Sequence, residues 1–222
     1  MTKRYEVDGL LFDLDGTMLD TVADLAEATN RMLRELRQPE RTVAEVTAFI
    51  GNGIRVLVKR SVSEGRESTP ALLEEAYHAF QRHYAEVNGL ATRPYPGVME
   101  ALTDLQSRGL KLGCVTNKSE AFIFPVLDGL GMSSFFGSVV GGDTLPQRKP
   151  DPEPLLHACR QLGIEPRRTL MVGDSPNDAL AARRAEIPVL LVTYGYSAET
   201  PLEEIDCDGL INSLEDLSDW LA

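Results

Sequence analysis

An apolar run that stops at two aspartates sets the terms for the whole chain. Leu10, Leu11 and Phe12 are consecutive apolar residues, the pattern of a short strand buried on both faces. They end at Asp13-Leu14-Asp15-Gly16-Thr17. Alternation along extended backbone puts Asp13 and Asp15 on one side and Leu14 on the other. Two neighbouring carboxylates repel, so both need partners. Gly16 permits a sharp turn, and Thr17 adds a hydroxyl. An acidic turn capping the next helix uses the same residue types. The position of the pair, after an apolar strand and before Gly-Thr, favours a reactive site.

Beyond Thr17 the apolar period becomes helical. Leu25, Met32, Leu33 and Leu36 fall near one face, up to Pro39. Thr42 is a plausible cap for a second helix, with Val43, Val46 and Phe49 inward. Gly51-Asn52-Gly53 precedes another helical stretch, and a longer helix is expected over 70–87, with Leu72, Leu73, Tyr77, Phe80 and Tyr84 as its stripe. Residues 19 to about 89 therefore read as helical, with no strand.

The pattern then alternates. Helices are expected over 98–107, 119–130, 152–162, 176–185 and 214–221. Strands are expected over 110–116, 135–140, 169–173, 189–192 and 209–211. Pro125 implies a kink or late start in its helix. Strands alternating with helices indicate an α/β fold, a Rossmann-like, mostly parallel sheet with helices on both faces. The helical block makes an inserted α-helical cap over 19–93, leaving 1–18 and 94–222 as the core domain, with hinges near Leu19 and Arg93. The 222 residues suffice for this arrangement.

Charge and cysteine usage narrow the partners. The chain carries 22 Lys and Arg against 34 Asp and Glu, a formal −12. Polyanions are repelled by such a chain, so nucleic acid and membrane surfaces are not expected partners. A small anionic substrate in a locally positive pocket is compatible. Cys114, Cys159 and Cys207 are odd in number and lack a paired motif, which suits reduced thiols in the cytoplasm. No apolar run reaches the ~20 residues of a membrane span. The opening MTKRYEVDG has no apolar signal region.

Ligands of open parallel sheets bind at the carboxyl ends of the strands. Reactive residues collect there. The first strand ends at Asp13 and Asp15, and LKLGCVT ends at Thr116-Asn117-Lys118. TLMVGD ends at Asp174, within Gly173-Asp174-Ser175-Pro176-Asn177-Asp178, and Lys149-Pro150 lies between. Each alone has a bland reading as a turn, a cap or a solvated lysine. All four in order on expected strand ends point to one site.

The series Asp-x-Asp-x-Thr, Thr-Asn, Lys-Pro, Gly-Asp-Ser-x-x-Asp resembles the four motifs of the haloacid dehalogenase-like superfamily, over nearly the whole chain. Gly51-Asn52-Gly53, Val115-Thr116-Asn117-Lys118, Gly141-Gly142-Asp143 and Thr193-Tyr194-Gly195-Tyr196 resemble its phosphoglycolate phosphatase branch. Glu186 departs from the glycine often found before the apolar pair matching Ile187-Pro188. The resemblance implies a phosphoric monoester hydrolase that uses Mg²⁺ on a small phosphate ester, best matched by 2-phosphoglycolate. Asp13 would be the nucleophile and Asp15 the acid and base. Asp13 and Asp174 would bind Mg²⁺ with the Asp15 backbone carbonyl. Thr116 and Lys149 would hold the phosphoryl group with Asn117. Thr17, Ser175 and Asp178 would support them, Asp178 by orienting Lys149.

In the cap, Arg55 and Lys59 share a helix face. That face is either simply solvated, or it closes with Gly51 and Asn52 over the site so that Arg55 meets a substrate carboxylate. His78, His83 and His157 have no metal-like spacing, so surface or packing roles are expected. Other readings of the constellation are a sugar-phosphate phosphatase, a phosphomutase, or a phospho-accepting receiver-like signalling domain. Receivers are shorter, lack a helical insertion and carry their phosphoacceptor on a later strand. A 2-haloacid dehalogenase does not need Asp15. The oligomeric expectation is a monomer or homodimer.

Overall fold

The computed structural model describes residues 4–63, 68–196 and 200–222. The chain opens with β1 (Gly9–Phe12) and β2 (Leu19–Asp20). Four helices follow: α1 (Val22–Glu35), α2 (Val43–Phe49), α3 (Ile54–Ser63) and α4 (Pro70–Val87). Next come β3 (Arg93–Pro94), α5 (Val98–Ser107), β4 (Lys111–Val115), α6 (Glu120–Gly129) and β5 (Ser138–Val140). The remainder is α7 (Glu153–Leu162), β6 (Thr169–Gly173), α8 (Pro176–Arg184), β7 (Val189–Val192), β8 (Gly209–Ile211) and α9 (Leu217–Trp220).

Six strands make one parallel sheet in the order β5-β4-β1-β6-β7-β8. The chain leaves β1 toward β4 and β5, then returns to build β6, β7 and β8 on the other side. That reversal brings the carboxyl ends of β4, β1 and β6 side by side and opens a crevice above them. All four β1 residues are buried. Leu10 and Phe12 join the cluster that includes Leu102 of α5 and Ile123 of α6; Leu11 joins the opposite one, with Leu155 of α7 and Ala179 of α8. The period-two alternation thus feeds both faces, and each fully buried leucine contributes about 1.5–3 kcal/mol.

The helices α1 to α4 have an apolar cluster of their own, including Leu25, Met32, Leu33, Val46, Leu57, Phe80 and Tyr84. The two passages between this block and the sheet pair with each other: β2 and β3 form an antiparallel ribbon, with Leu19 opposite Pro94 and Asp20 opposite Arg93. Just beyond it, buried Asp24 accepts hydrogen bonds from the Gly89, Ala91 and Thr92 amides and the Thr92 hydroxyl, at 2.6–3.0 Å. Charge-assisted bonds of this kind are among the stronger ones available, so Asp24 ties α1 to the returning chain.

Several local expectations need correction. The two-residue ribbon has no sequence signal, because its pairing is set by tertiary approach rather than by an apolar run. Val43 is 54% exposed, since it starts α2 on the solvent side while Val46 takes the buried position. Thr42 does cap α2, with Glu45 completing a reciprocal capping box. Phe135 ends a 3₁₀ turn over Ser133–Phe135, so β5 starts later than the apolar run suggests. α6 does not start late: Pro125 sits inside it, and the buried Phe122, Ile123, Val126 and Leu127 offset the one ladder bond it forfeits. The closing segment is a 3₁₀ turn over Leu214–Asp216 followed by α9. The three cysteines are free thiols, with Cys114 and Cys159 buried.

Candidate active site

Asp13 directly follows β1, and its amide still donates to the Val172 carbonyl at 3.0 Å. The ladder therefore holds the backbone rigid to the residue that carries the carboxylate. Leu14 turns into the core, while Asp13 and Asp15 face the crevice. Asp13 Oδ1 accepts from the Leu14 amide at 2.8 Å and lies 3.0 Å from Lys149 Nζ. Burial pushes the Asp13 carboxyl up to about 6 against the opposing pull of Lys149.

Lys149 is fixed from three sides. Its ammonium lies on Asp13 and donates to Asp178 Oδ1 at 2.6 Å and to the Val115 carbonyl at 2.7 Å. Burial alone would lower its basicity, but Asp13 and Asp178 outweigh that and hold it above the ordinary lysine range. The other Asp178 oxygen accepts from the Asp174 amide, the Ser175 amide and the Ser175 hydroxyl. The first turn of α8 therefore positions Lys149, and Asp178 has both oxygens engaged.

Asp174 directly follows β6 and sits between two backbone segments. A Cβ at Gly16 would come 2.4 Å from Asp174 Oδ2, and one at Gly195 would come 2.2 Å from Asp174 Cβ. Only glycine permits that approach. The Tyr196 amide donates to Oδ2 at 2.6 Å, and the Thr17 hydroxyl lies 3.4 Å from Oδ1. Burial, then the Asp178 and Asp13 charges, push the Asp174 carboxyl well above its ordinary value.

Carboxylate oxygens of Asp13, Asp174 and Asp178 lie within 4.8 Å of one another. Ionised together, the three buried carboxylates would have one buried ammonium, Lys149, against them, leaving two negative charges uncompensated. An all-oxygen, doubly negative site suits a hard divalent cation. With Asp178 fully engaged, Asp13 and Asp174 are the carboxylates available to one.

Thr116 and Asn117 follow β4 and line a cavity of about 40 Å³ with Asp13, Asp15 and Lys118. Asn117 Nδ2 donates to the Lys149 and Gly51 carbonyls, each at 3.0 Å. Asn177 Nδ2 donates to the same Gly51 carbonyl at 3.2 Å and to Asn52 Oδ1 at 3.1 Å. The Gly51–Gly53 loop of the helical block is thus held directly over the sheet's motif residues.

The family model for haloacid dehalogenase-like hydrolases matches residues 10–192, a span that takes in all four strand-end motifs. The chain belongs to the haloacid dehalogenase-like hydrolases. It is 46% identical over 210 residues to a phosphoglycolate phosphatase from Nitrosospira multiformis and 44% identical over 210 residues to one from Thiobacillus denitrificans. Each alignment covers 94% of this chain and 92% of the relative. A crystal structure described as a predicted phosphoglycolate phosphatase from Haemophilus somnus superposes with a TM-score of 0.91 at 33% identity, covering 96% of this chain and 97% of that one.

Within this hydrolase, Arg55 stands apart from the cavity, on the solvated face that was one of its two readings. Arg55 does not line the cavity: its guanidinium pairs with Glu74 at 2.6 Å and lies 4.0 Å from the Tyr77 ring centroid. Arg55 and Glu74 side chains are more than half exposed. One turn of α3 points Ile54 and Leu57 inward and Arg55 outward, so its side chain stands on the outer face. Two polar cavity residues escaped the sequence reading as site residues, Lys118 and Tyr84. Lys118 stands two positions after Thr116, at the same strand end, which was the available signal. Tyr84 lay on an apolar helical stripe and read as core.

Proposed function

We propose that the chain is a Mg²⁺-dependent phosphatase of a small phosphorylated acid, 2-phosphoglycolate, acting through a phosphorylated Asp13. The observation that carries this reading is the Asp13 carboxylate at the end of β1, in contact with Lys149 and beside Asp174. The near-full-length identity to named phosphoglycolate phosphatases supports the substrate.

Both contacts of Asp13 fall on Oδ1. Oδ2 is the oxygen that attacks phosphorus, forming an aspartyl-phosphate as the bond to the ester oxygen breaks. Asp15 gives that leaving oxygen its proton, then takes a proton from the water that attacks phosphorus, releasing phosphate and restoring Asp13. Lys149, the Thr116 hydroxyl and the Asn117 backbone N–H hold the equatorial oxygens as charge redistributes, while the Asn117 side-chain amide stays on the Lys149 and Gly51 carbonyls. Asp178 and Ser175 keep Lys149 aimed, and Thr17 steadies Asp174. Asp13, Asp174 and the Asp15 backbone carbonyl are the groups that would hold Mg²⁺, which would supply positive charge against the charge developing in phosphoryl transfer.

Residues 19–93 act as a cap over a core of 1–18 and 94–222, and Gly51 and Asn52 close the site. Among the described residues no helix is long and apolar enough to cross a membrane. The working form is a cytoplasmic monomer or homodimer that meets a free metabolite and not nucleic acid.

Phosphate release measured over small phosphorylated acids and sugar phosphates, with Mg²⁺ and with excess chelator, tests the reading. We expect 2-phosphoglycolate to be the best substrate, Mg²⁺ to be required, and Asp13→Asn to fold and lose turnover. Full activity in chelator, or in Asp13→Asn, contradicts the chemistry; preference for a sugar phosphate contradicts the substrate.

A further inference from the structure

The cavity beside Asp13 and Asp15 has two unlike walls. The helical block supplies Leu25, Ile50, Ile54 and Leu57, four aliphatic side chains. Among the residues lining the cavity, Lys118 is the single cation. Its side chain is 2% exposed. Its ammonium lies 3.0 Å and 3.3 Å from the two Asp15 oxygens and 2.5 Å from the Tyr84 hydroxyl. Tyr84 comes from α4, and its ring is packed between Phe80 and Phe122, with centroids 5.3 Å and 4.7 Å away.

An ammonium has three protons and no acceptor: one shared between the two oxygens of the single Asp15 carboxylate and one on Tyr84 leave the third for a ligand, and the Tyr84 oxygen is the acceptor in its contact. The phenolic proton is therefore left to donate elsewhere. Burial keeps it in place by pushing the tyrosine up to about 12. The cavity thus presents an ammonium and a hydroxyl donor together, against an otherwise aliphatic wall. Arg55, the other candidate for an anion, lies outside on Glu74.

We propose that Lys118 Nζ and Tyr84 Oη are the receptor for the carboxylate of the leaving group, and that the ammonium they share with Asp15 sets how far that carboxylate lies from the ester oxygen. This rests on the phosphatase reading above and specifies the substrate class of the same site. Asp15 must reach the ester oxygen to protonate it. Lys118 touches Asp15, so an anion held by Lys118 sits one or two carbons from that oxygen. Phosphorylated short hydroxy acids satisfy this distance. Sugar phosphates do not suit the wall, because hydroxyls placed against Leu25, Ile50, Ile54 and Leu57 would be desolvated without partners.

The test compares 2-phosphoglycolate with 2-hydroxyethyl phosphate, which replaces the carboxylate by a hydroxymethyl group. The readout is the ratio of their kcat/KM values. Disturbance of Asp15 or of folding lowers both substrates and leaves the ratio in place; loss of a carboxylate receptor lowers the ratio. Wild type should favour 2-phosphoglycolate strongly. Lys118→Met should cut the ratio by ~30- to 100-fold, and Tyr84→Phe by ~3- to 10-fold, the scales of charged and neutral hydrogen bonds. Lys118→Arg should keep part of it. Should Lys118→Met fail to fold, Tyr84→Phe carries the test, since it removes one oxygen and no charge. A wild-type preference that survives in both variants overturns the receptor and leaves the substrate reading standing. A wild type that does not distinguish the two esters overturns both.

Discussion

Asn177 of α8 and Gly51 of the helical block are joined across the crevice, Asn177 Nδ2 donating to the Gly51 carbonyl at 3.2 Å and to Asn52 Oδ1 at 3.1 Å. Asn117 donates to the same carbonyl from the other side at 3.0 Å. The loop that covers the site is therefore fastened by amides standing beside the residues assigned to the chemistry. Its closure and the arrangement of the site are linked.

Asn177→Ala removes two of these bonds and touches none of the assigned catalytic groups. Each neutral hydrogen bond contributes about 0.5–1.5 kcal/mol, so losing two should raise KM by ~5- to 150-fold with kcat within about twofold of wild type. Steady-state kinetics on the preferred substrate measures this. A fall in kcat with unchanged KM would mean that the loop contributes to the chemical step rather than to substrate retention.

Lys149 and Asp178 form a buried pair at 2.6 Å, with Asp178 fully buried. Removing one partner leaves an uncompensated ion, and Asp178 also receives the amides that start α8. Asp178→Ala should cost about 3–5 kcal/mol by denaturant unfolding and should lower kcat, because Lys149 loses its aim. A loss below about 1 kcal/mol would show that the surroundings relax around Lys149 without Asp178.

The buried acids also predict how metal and pH interact. The ordinary aspartate value is 3.8, and burial raises Asp13 to about 6. Between those values the folded metal-free protein holds a proton that the unfolded chain has released. Its stability therefore falls as pH rises through that window. Mg²⁺ favours the same carboxylates ionised, so its stabilising effect should be small near pH 4.5 and larger at pH 7. Melting curves with Mg²⁺ and with chelator at both pH values test it. An equal gain at both would place the ion away from Asp13. Activity should vanish in chelator and return with Mg²⁺, with Ca²⁺ a poor substitute because its looser coordination misplaces the oxygens.

The legible parts of this molecule were those written in short-range pattern. β6 (Thr169–Gly173) and β7 (Val189–Val192) match their expected bounds because continuous apolar runs between turns leave little choice. Asp13, Thr116, Lys149 and Asp174 were legible because they stood in order, three of them directly after strands and Lys149 in the loop before α7. What depended on tertiary approach was not. The β2–β3 ribbon has only two residues on each side. Tyr84 is both a core residue by burial and a cavity residue by its hydroxyl, and periodicity reports only the first. Arg55 carried the right charge in the right segment, but one helical step turned it toward Glu74.

The Glu186 departure also has a structural counterpart. Glu186 follows α8 and its Ala185 cap and adopts φ +57°, the left-handed conformation that glycine takes most easily after a helix. Its compensation is an ion pair with Arg167 in which both side chains are well exposed, and such pairs contribute little. A non-glycine residue in this conformation costs about 1–2 kcal/mol, part of which glycine returns through its greater freedom when unfolded. Glu186→Gly should therefore stabilise the protein by about 0.5–1 kcal/mol, raising Tm by ~1–4 °C. Activity should be unchanged, because position 186 lies at the end of α8 opposite Asp178. Differential scanning calorimetry with parallel kinetics decides the matter. A destabilised variant would show that the Arg167 pair holds the turn and that the backbone conformation costs little here.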